Sequence, residues 1–235
     1  MKSMSVSWTD AVDALEVHFG LDAVIKIAGR LQETGFYQGW LQAAPVINAF
    51  GDWHIPSLPE DAPYRSYRWY IDQSFDAQRQ AVIGSKLVEV ILNEPWQRLN
   101  PHYDLSLIGQ ALDSAQGGAA GEEALALLVP GRVAVISVAP LRQIADERVR
   151  LFAVRRVVAH QIGHLFDVPQ PGRPHAESAP SGERHCANLC AMREAHDLDQ
   201  LVEMTMGELS ADVLLCDDCW HDLLRVMMDS HFGVN

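Results

Sequence analysis

Four cysteines, all in the last quarter of the chain, constrain this fold more than any other feature. They form two close pairs, Cys186/Cys190 and Cys216/Cys219, separated by the 25 residues 191–215. Four thiolates in two such pairs can close a tetrahedral zinc site with no position left for substrate. A disulfide framework would need an oxidising compartment, and Met1–Asp10 lacks the apolar core of a secretory signal. The expectation is a cytoplasmic protein in which one structural zinc ties two distant segments together. The competing reading is four buried, reduced cysteines that never meet.

Composition narrows the partners. Among 235 residues, Lys plus Arg number 18 and Asp plus Glu 31, a formal charge of −13. A surface that acidic repels phosphate backbones and anionic headgroups, which argues against nucleic acid and membrane as partners. The longest apolar stretch, Leu125–Pro140, is interrupted by Pro130, Gly131 and Arg132 and is too short to span a bilayer.

Periodicity gives the elements. Residues 9–33 carry helical spacing that Gly20 is expected to break into two helices. The alternation of Tyr67, Trp69 and Ile71 predicts a strand, and Ser74 is placed to cap a following helix containing Val82, Ile83 and Leu87. Tyr103–Ile108 and Arg132–Ala139 read as strands, with a small-residue loop at Gln116–Gly121 between them. From Ile144 to Phe166, Leu151, Val154, Val158, Ile162 and Leu165 make one buried helical stripe. Residues 196–209 and 218–232 are further helices. Strand–helix alternation of this kind is an α/β (α+β) domain, with residues 1–70 read as an N-terminal helical extension packed on a core of 71–235.

The long helix finishes as His160-Gln161-Ile162-Gly163-His164. Histidines four apart share a helical face and can grip one ion. In a chain with ten histidines that pair alone is weak. His18, His54, His102, His196, His221 and His231 read as surface or packed side chains.

Together with the cysteines, these residues resemble the archaemetzincins, zinc metallopeptidases of the metzincin clan. That family shows HExxHxxGxxHC, then a cysteine with a methionine two residues on, then CxxC. Here His160–His164 matches the first stretch, His185-Cys186 the HC step, Cys190-Ala191-Met192 the next, and Cys216–Cys219 the last. Phe75–Gln80 and Gly131–Ser137 also look like family segments.

The resemblance implies a metzincin-like zincin domain: a twisted mixed sheet, a long zinc-binding helix and a C-terminal subdomain stapled by the cysteine zinc. It implies two zinc ions per chain, a peptide or protein substrate, and His160, His164 and His185 as ligands of a catalytic-type zinc. His175 is the rival third ligand, and Asp167 would indicate a different zincin subclass. Met192 becomes the Met-turn residue beneath the ligands, and the strand at Arg132–Ala139 a candidate to pair with an extended peptide.

Three departures accompany the match. Gln161 stands where the family has its catalytic glutamate, the group that would hold the attacking water and take its proton. An amide keeps the shape but lacks basicity, so the sequence as written implies impaired peptide hydrolysis. Either the amide was introduced into a competent enzyme, or the chain is a natural pseudopeptidase that binds peptide or protein without cutting it. Asp167 replaces the glycine that turns the chain after the helix. Twenty residues, 165–184, separate His164 from His185 where the family has five, and the insertion 167–183 is expected to project as a flap beside the metal.

Overall fold

A computed structural model describes residues 2–39, 42–114, 123–179 and 182–232, so the loop expected at Gln116–Gly121 lies outside the described residues. The chain opens with β1 (Met4–Trp8), α1 (Ala14–Tyr37), β2 (Ile47–Ala49), α2 (Tyr67–Ser74), β3 (Phe75–Asp76) and β4 (Ala81–Ile83). Next come α3 (Gly84–Leu92), α4 (Pro95–Leu99), β5 (Tyr103–Ile108), β6 (Ala111–Asp113), β7 (Glu123–Ala124), β8 (Ala126–Val129) and β9 (Val133–Ser137). Then follow α5 (Glu147–Leu165), β10 (Ala176–Ser178), β11 (Arg184–Cys186), α6 (Leu198–Ala211) and α7 (Asp217–Phe232). The contacts divide this chain into two compact units, one of residues 2–17 and 46–143, the other of residues 18–45 and 144–235.

The first unit is built on a mixed sheet in the order β2-β1-β5-β9-β8, parallel except for β8. A second sheet runs β3-β4-β6-β7. Val133, Val135 and Ile108 of the first sheet pack with Tyr67 and Tyr70 of α2 and Leu87 of α3.

Several expectations are corrected here. Strand β1 lies inside the five-stranded sheet between β2 and β5, so residues 1–70 are woven into the fold rather than appended as a helical extension. Tyr67–Ser74 is helical, because Ser66 caps it by accepting the Trp69 N–H and the buried positions 67, 70, 71 and 74 follow a helical stripe. Ser74 caps nothing. Its hydroxyl donates to the Tyr70 carbonyl, and Val82 and Ile83 belong to β4. Strand β9 has neighbours on both sides and cannot accept a peptide as an added strand; β8 is the edge of that sheet. Helix α1 runs unbroken through Gly20, the glycine's cost of about 1 kcal/mol being met by burial of Ala23, Val24, Ile27 and Leu31.

In the second unit, α5 starts where Asp146 accepts the Val149 N–H and packs against α6, which Asp197 caps in the same way. Arg156 of α5 and Glu208 of α6 form a buried ion pair at 2.9 Å. The described residues contain no helix long and apolar enough to cross a membrane.

Candidate metal centre

Helix α5 ends in a geometry that fixes both of its histidines. The Val168 N–H reaches the Gly163 carbonyl at 2.9 Å and the Asp167 N–H the His164 carbonyl at 3.0 Å. This closes the helix with Asp167 in the left-handed region at φ 58°. Glycine is the ordinary choice there, which is why a family pattern has it. Aspartate is one of the few side chains that tolerates the position, and its carboxylate pairs with Arg184.

The turn returns the chain to His185 on β11. One nitrogen from each of His160, His164 and His185 comes within 4.8 Å of the others. Nε2 of His160 lies 3.0 Å from Nε2 of His164, and the His160 and His185 rings stack with centroids 5.4 Å apart. The His160 Nδ1–H donates to the Ala191 carbonyl at 2.7 Å, which orients its Nε2 towards the cluster. Burial, reinforced by His164, holds His160 well below the usual imidazole pKa. Burial, with His185 and Arg184, brings His164 down to about 4. The α5 pair is therefore neutral at physiological pH, the form in which imidazole binds metal.

His175, the rival third ligand, is not part of this cluster. It is exposed and its Nδ1 lies 3.2 Å from Asp218 Oδ2. Asp167 likewise is turned to Arg184 and stands outside the cluster.

Met192 is fully buried directly against Gly163 of the histidine helix. A β-carbon built on Gly163 would lie 2.8 Å from Met192 Cε and closer still to Sδ. The glycine is thus what lets the methionine pass beneath the two histidines. The Met192 carbonyl accepts the Cys186 N–H at 2.9 Å, and Arg156 donates to the carbonyl of the next residue, Arg193, at 2.6 Å.

The cysteines meet. Sulfur atoms of Cys186, Cys190, Cys216 and Cys219 all lie within 4.8 Å of one another, with Cys186–Cys216 and Cys190–Cys219 at 3.7 Å and no disulfide. Contacts within the cluster lower the Cys186 and Cys216 thiols and raise those of Cys190 and Cys219, so the four sulfurs act as one strongly coupled group. Since His185 and Cys186 are adjacent on β11, one strand serves both clusters.

The insertion expected to project as a flap is tied at two places among the described residues. Its strand β10 pairs antiparallel with β11, Glu177 opposite His185 and Ala176 opposite Cys186. Arg173 pins the rest to α7, donating to Cys219 Sγ at 3.0 Å and pairing with Asp222 at 2.6 Å, while the Gln170 N–H donates to Asp222 at 2.9 Å. Sequence reading misses Arg173, because nothing in a Pro/Gly-rich loop announces a guanidinium aimed at sulfur. Gln161, next to His160 on α5, has its Oε1 buried without a hydrogen-bond partner.

Sequence reading also passes over Glu94, His102 and Asp104, which the first unit gathers into a buried cluster of its own. The one available signal was an imidazole two residues from a carboxylate at the start of a predicted strand.

No protein-family model matches this chain, and no curated protein sequence does. Solved structures do match. An archaemetzincin from Methanopyrus kandleri superposes with a TM-score of 0.56 at 18% identity, covering 97% of this chain and 96% of its own. A zinc-dependent peptidase from Methanocorpusculum labreanum gives 0.54 at 16% identity, covering 94% of this chain and 100% of its own. The fold is therefore archaemetzincin-like over nearly the whole length, residues 1–70 included.

Proposed function

We propose that this chain is a zinc protein of the metzincin type that binds peptide or protein substrates, with hydrolysis impaired by Gln161. The observation that carries the reading is the convergence of three imidazoles at the end of α5, over a methionine that only Gly163 admits. His160, His164 and His185 would hold a catalytic-type zinc, and Cys186, Cys190, Cys216 and Cys219 a structural one, two ions in all. The donor sets fit. Three converging imidazoles, His164 and His185 buried and His160 partly so, suit an open catalytic site, and four sulfurs suit a closed structural one.

Zinc at the histidines would polarise a peptide carbonyl and activate water for attack on it. The remaining work belongs to the chain. Ala191 fixes the tautomer of His160, Met192 supports the ligand helix, and residue 161 must take a proton from the nucleophile and return it to the leaving amine. Gln161 can donate or accept a hydrogen bond but cannot carry that proton at neutral pH, and losing a positioned general base costs about 10²–10⁴-fold. The protein as written would hold a polarised peptide and turn it over slowly.

The unpartnered Gln161 Oε1 favours a second reading, a pseudopeptidase that captures peptide or protein through its zinc-stabilised frame. Four reduced thiols support a cytoplasmic setting for either reading. Metal analysis of His164→Ala and Cys216→Ser tests the ligand sets, each variant losing one zinc and keeping the ion of the other. Full retention of zinc by His164→Ala would overturn the histidine site.

A further inference from the structure

The first unit contains a cavity of about 460 Å³ whose floor is unusual for a covered sheet. Side chains alternate faces along a strand, and the register sets Ser5 beside Asp104 and Ser7 beside Ser106. Strands β1 and β5 therefore present four polar residues on the face where Val133 and Val135 of β9 also lie. A sheet face covered by helices is ordinarily apolar throughout. The walls are aromatic, with Trp53, Tyr67, Tyr70 and Trp96 among them.

At one side of this cavity stand Glu94, His102 and Asp104, with 3%, 7% and 8% of their surface exposed. Glu94 occupies the N-cap position of α4, yet its side chain makes no capping bond there. It turns inward instead. Each of the three groups has its outer atom held by a neighbour. Tyr70 donates to Glu94 Oε2 at 2.7 Å, Gln97 donates to Asp104 Oδ2 at 2.5 Å, and the His102 Nδ1–H donates to the Asn100 carbonyl at 2.8 Å.

The inner atoms face one another. His102 Nε2 lies 3.3 Å from Glu94 Oε1 and 3.3 Å from Asp104 Oδ1. Glu94 Oε1 is shielded from solvent and has no hydrogen-bond partner. The one N–H of His102 reaches both oxygens only as a long shared three-centre bond, whereas a cation at their centre meets all three atoms at once. Ligands about 2.0–2.1 Å from a tetrahedral ion sit about 3.3 Å from each other. Metal-bound histidines characteristically donate the other ring nitrogen to a carbonyl or carboxylate, as His102 does to Asn100. Two carboxylates neutralise a divalent ion, which accounts for burying both in an aromatic pocket.

We infer that Glu94, His102 and Asp104 form a further metal site, for a divalent transition ion suited to mixed nitrogen and oxygen ligands, opening onto the cavity of the first unit. One imidazole with two carboxylates favours Mn²⁺, Fe²⁺ or Zn²⁺ over the soft ions that thiolates select. The cavity is of the size that takes a small molecule. The site shares no residue with the histidine or cysteine clusters and stands or falls without them.

The test loads the full-length, untagged, chelator-stripped protein with zinc, then titrates Mn²⁺ and follows free Mn²⁺ by electron paramagnetic resonance. One equivalent per chain should bind. The isosteric Glu94→Gln and Asp104→Asn should each remove it or weaken it at least tenfold, and His164→Ala should leave it unchanged. Tyr70→Phe, which only releases Glu94 Oε2, should weaken it about tenfold. Anomalous diffraction at the manganese edge gives a readout that needs no variant: a peak enclosed by the three side chains is expected. Absence of both a manganese-edge and a zinc-edge peak between the three side chains would overturn the site, as would metal uptake that Glu94→Gln and Asp104→Asn both leave intact. If zinc fills the site first, the zinc-edge peak there replaces the Mn²⁺ uptake, with the same loss in Glu94→Gln.

Discussion

Gly163→Ala isolates the packing on which the histidine cluster rests. In a helix interior the change normally gains about 1 kcal/mol, because alanine loses less backbone freedom on folding. Gly29 of α1 shows that ordinary case: a β-carbon there meets nothing within 4 Å, so Gly29→Ala should stabilise by about 1 kcal/mol. At Gly163 the new carbon would lie 2.8 Å from Met192 Cε, nearly 1 Å inside normal contact, and closer still to the sulfur. Met192 is fully buried and has little room to retreat. Overpacking of this kind costs about 2–3 kcal/mol, so the net loss should be about 1–2 kcal/mol. For a chain of this length that is a fall in Tm of about 2–8 °C, against a rise for Gly29→Ala. Because Cys186 bonds the Met192 carbonyl and Ala191 bonds His160, metal retention should fall with it. In thermal melts of the metal-loaded protein, Met192→Ala should rescue part of the Gly163→Ala loss, with a coupling of about 1 kcal/mol or more. A Gly163→Ala protein stabilised like Gly29→Ala, with its metal unchanged, would refute the support assigned to Met192.

Other perturbations follow from the same contacts. Cys216→Ser should release the cysteine-bound zinc and lower Tm, since metal binding there is partly folding energy, measured by metal analysis alongside calorimetry. Glu208→Ala should cost about 3–5 kcal/mol in denaturant unfolding, because it leaves Arg156 charged and buried, whereas the paired change of Arg156→Met with Glu208→Leu should recover most of that. Arg173→Gln should free the insertion from α7, read as faster proteolysis between residues 167 and 183 with the histidine-bound metal retained.

How legible each part of the fold is in the sequence depends on the kind of signal. The long stripe ending at His164 predicts α5 within three residues at its start, and Tyr103–Ile108 emerges as β5 unchanged. Both carry dense, regular apolar patterning. The Tyr67-Trp69-Ile71 alternation misleads because three aromatics in five residues mask a helical stripe that only the Ser66 cap makes plain. The place of His185 in the imidazole cluster was legible through its neighbour Cys186. The anchoring of the insertion by Arg173 and the assembly of Glu94, His102 and Asp104 were not, since both depend on long-range register and leave no local spacing. Likewise β1 was hidden in a short MSVSW segment whose place in the sheet is set by pairing with β2 and β5.

The role of position 161 is read from peptide turnover by the Gln161 protein and by Gln161→Glu, both zinc-loaded and compared with chelator-treated controls. A carboxylate at position 161 should bring a zinc-dependent gain of at least about 10²-fold, the lower end for a positioned general base. Binding of a zinc-chelating peptide inhibitor should change far less, because the metal and not residue 161 supplies that contact. Equal turnover by the two proteins would contradict the role given to position 161. No turnover by Gln161→Glu, with zinc present and peptide bound, would leave the binding module as the function and contradict the peptidase.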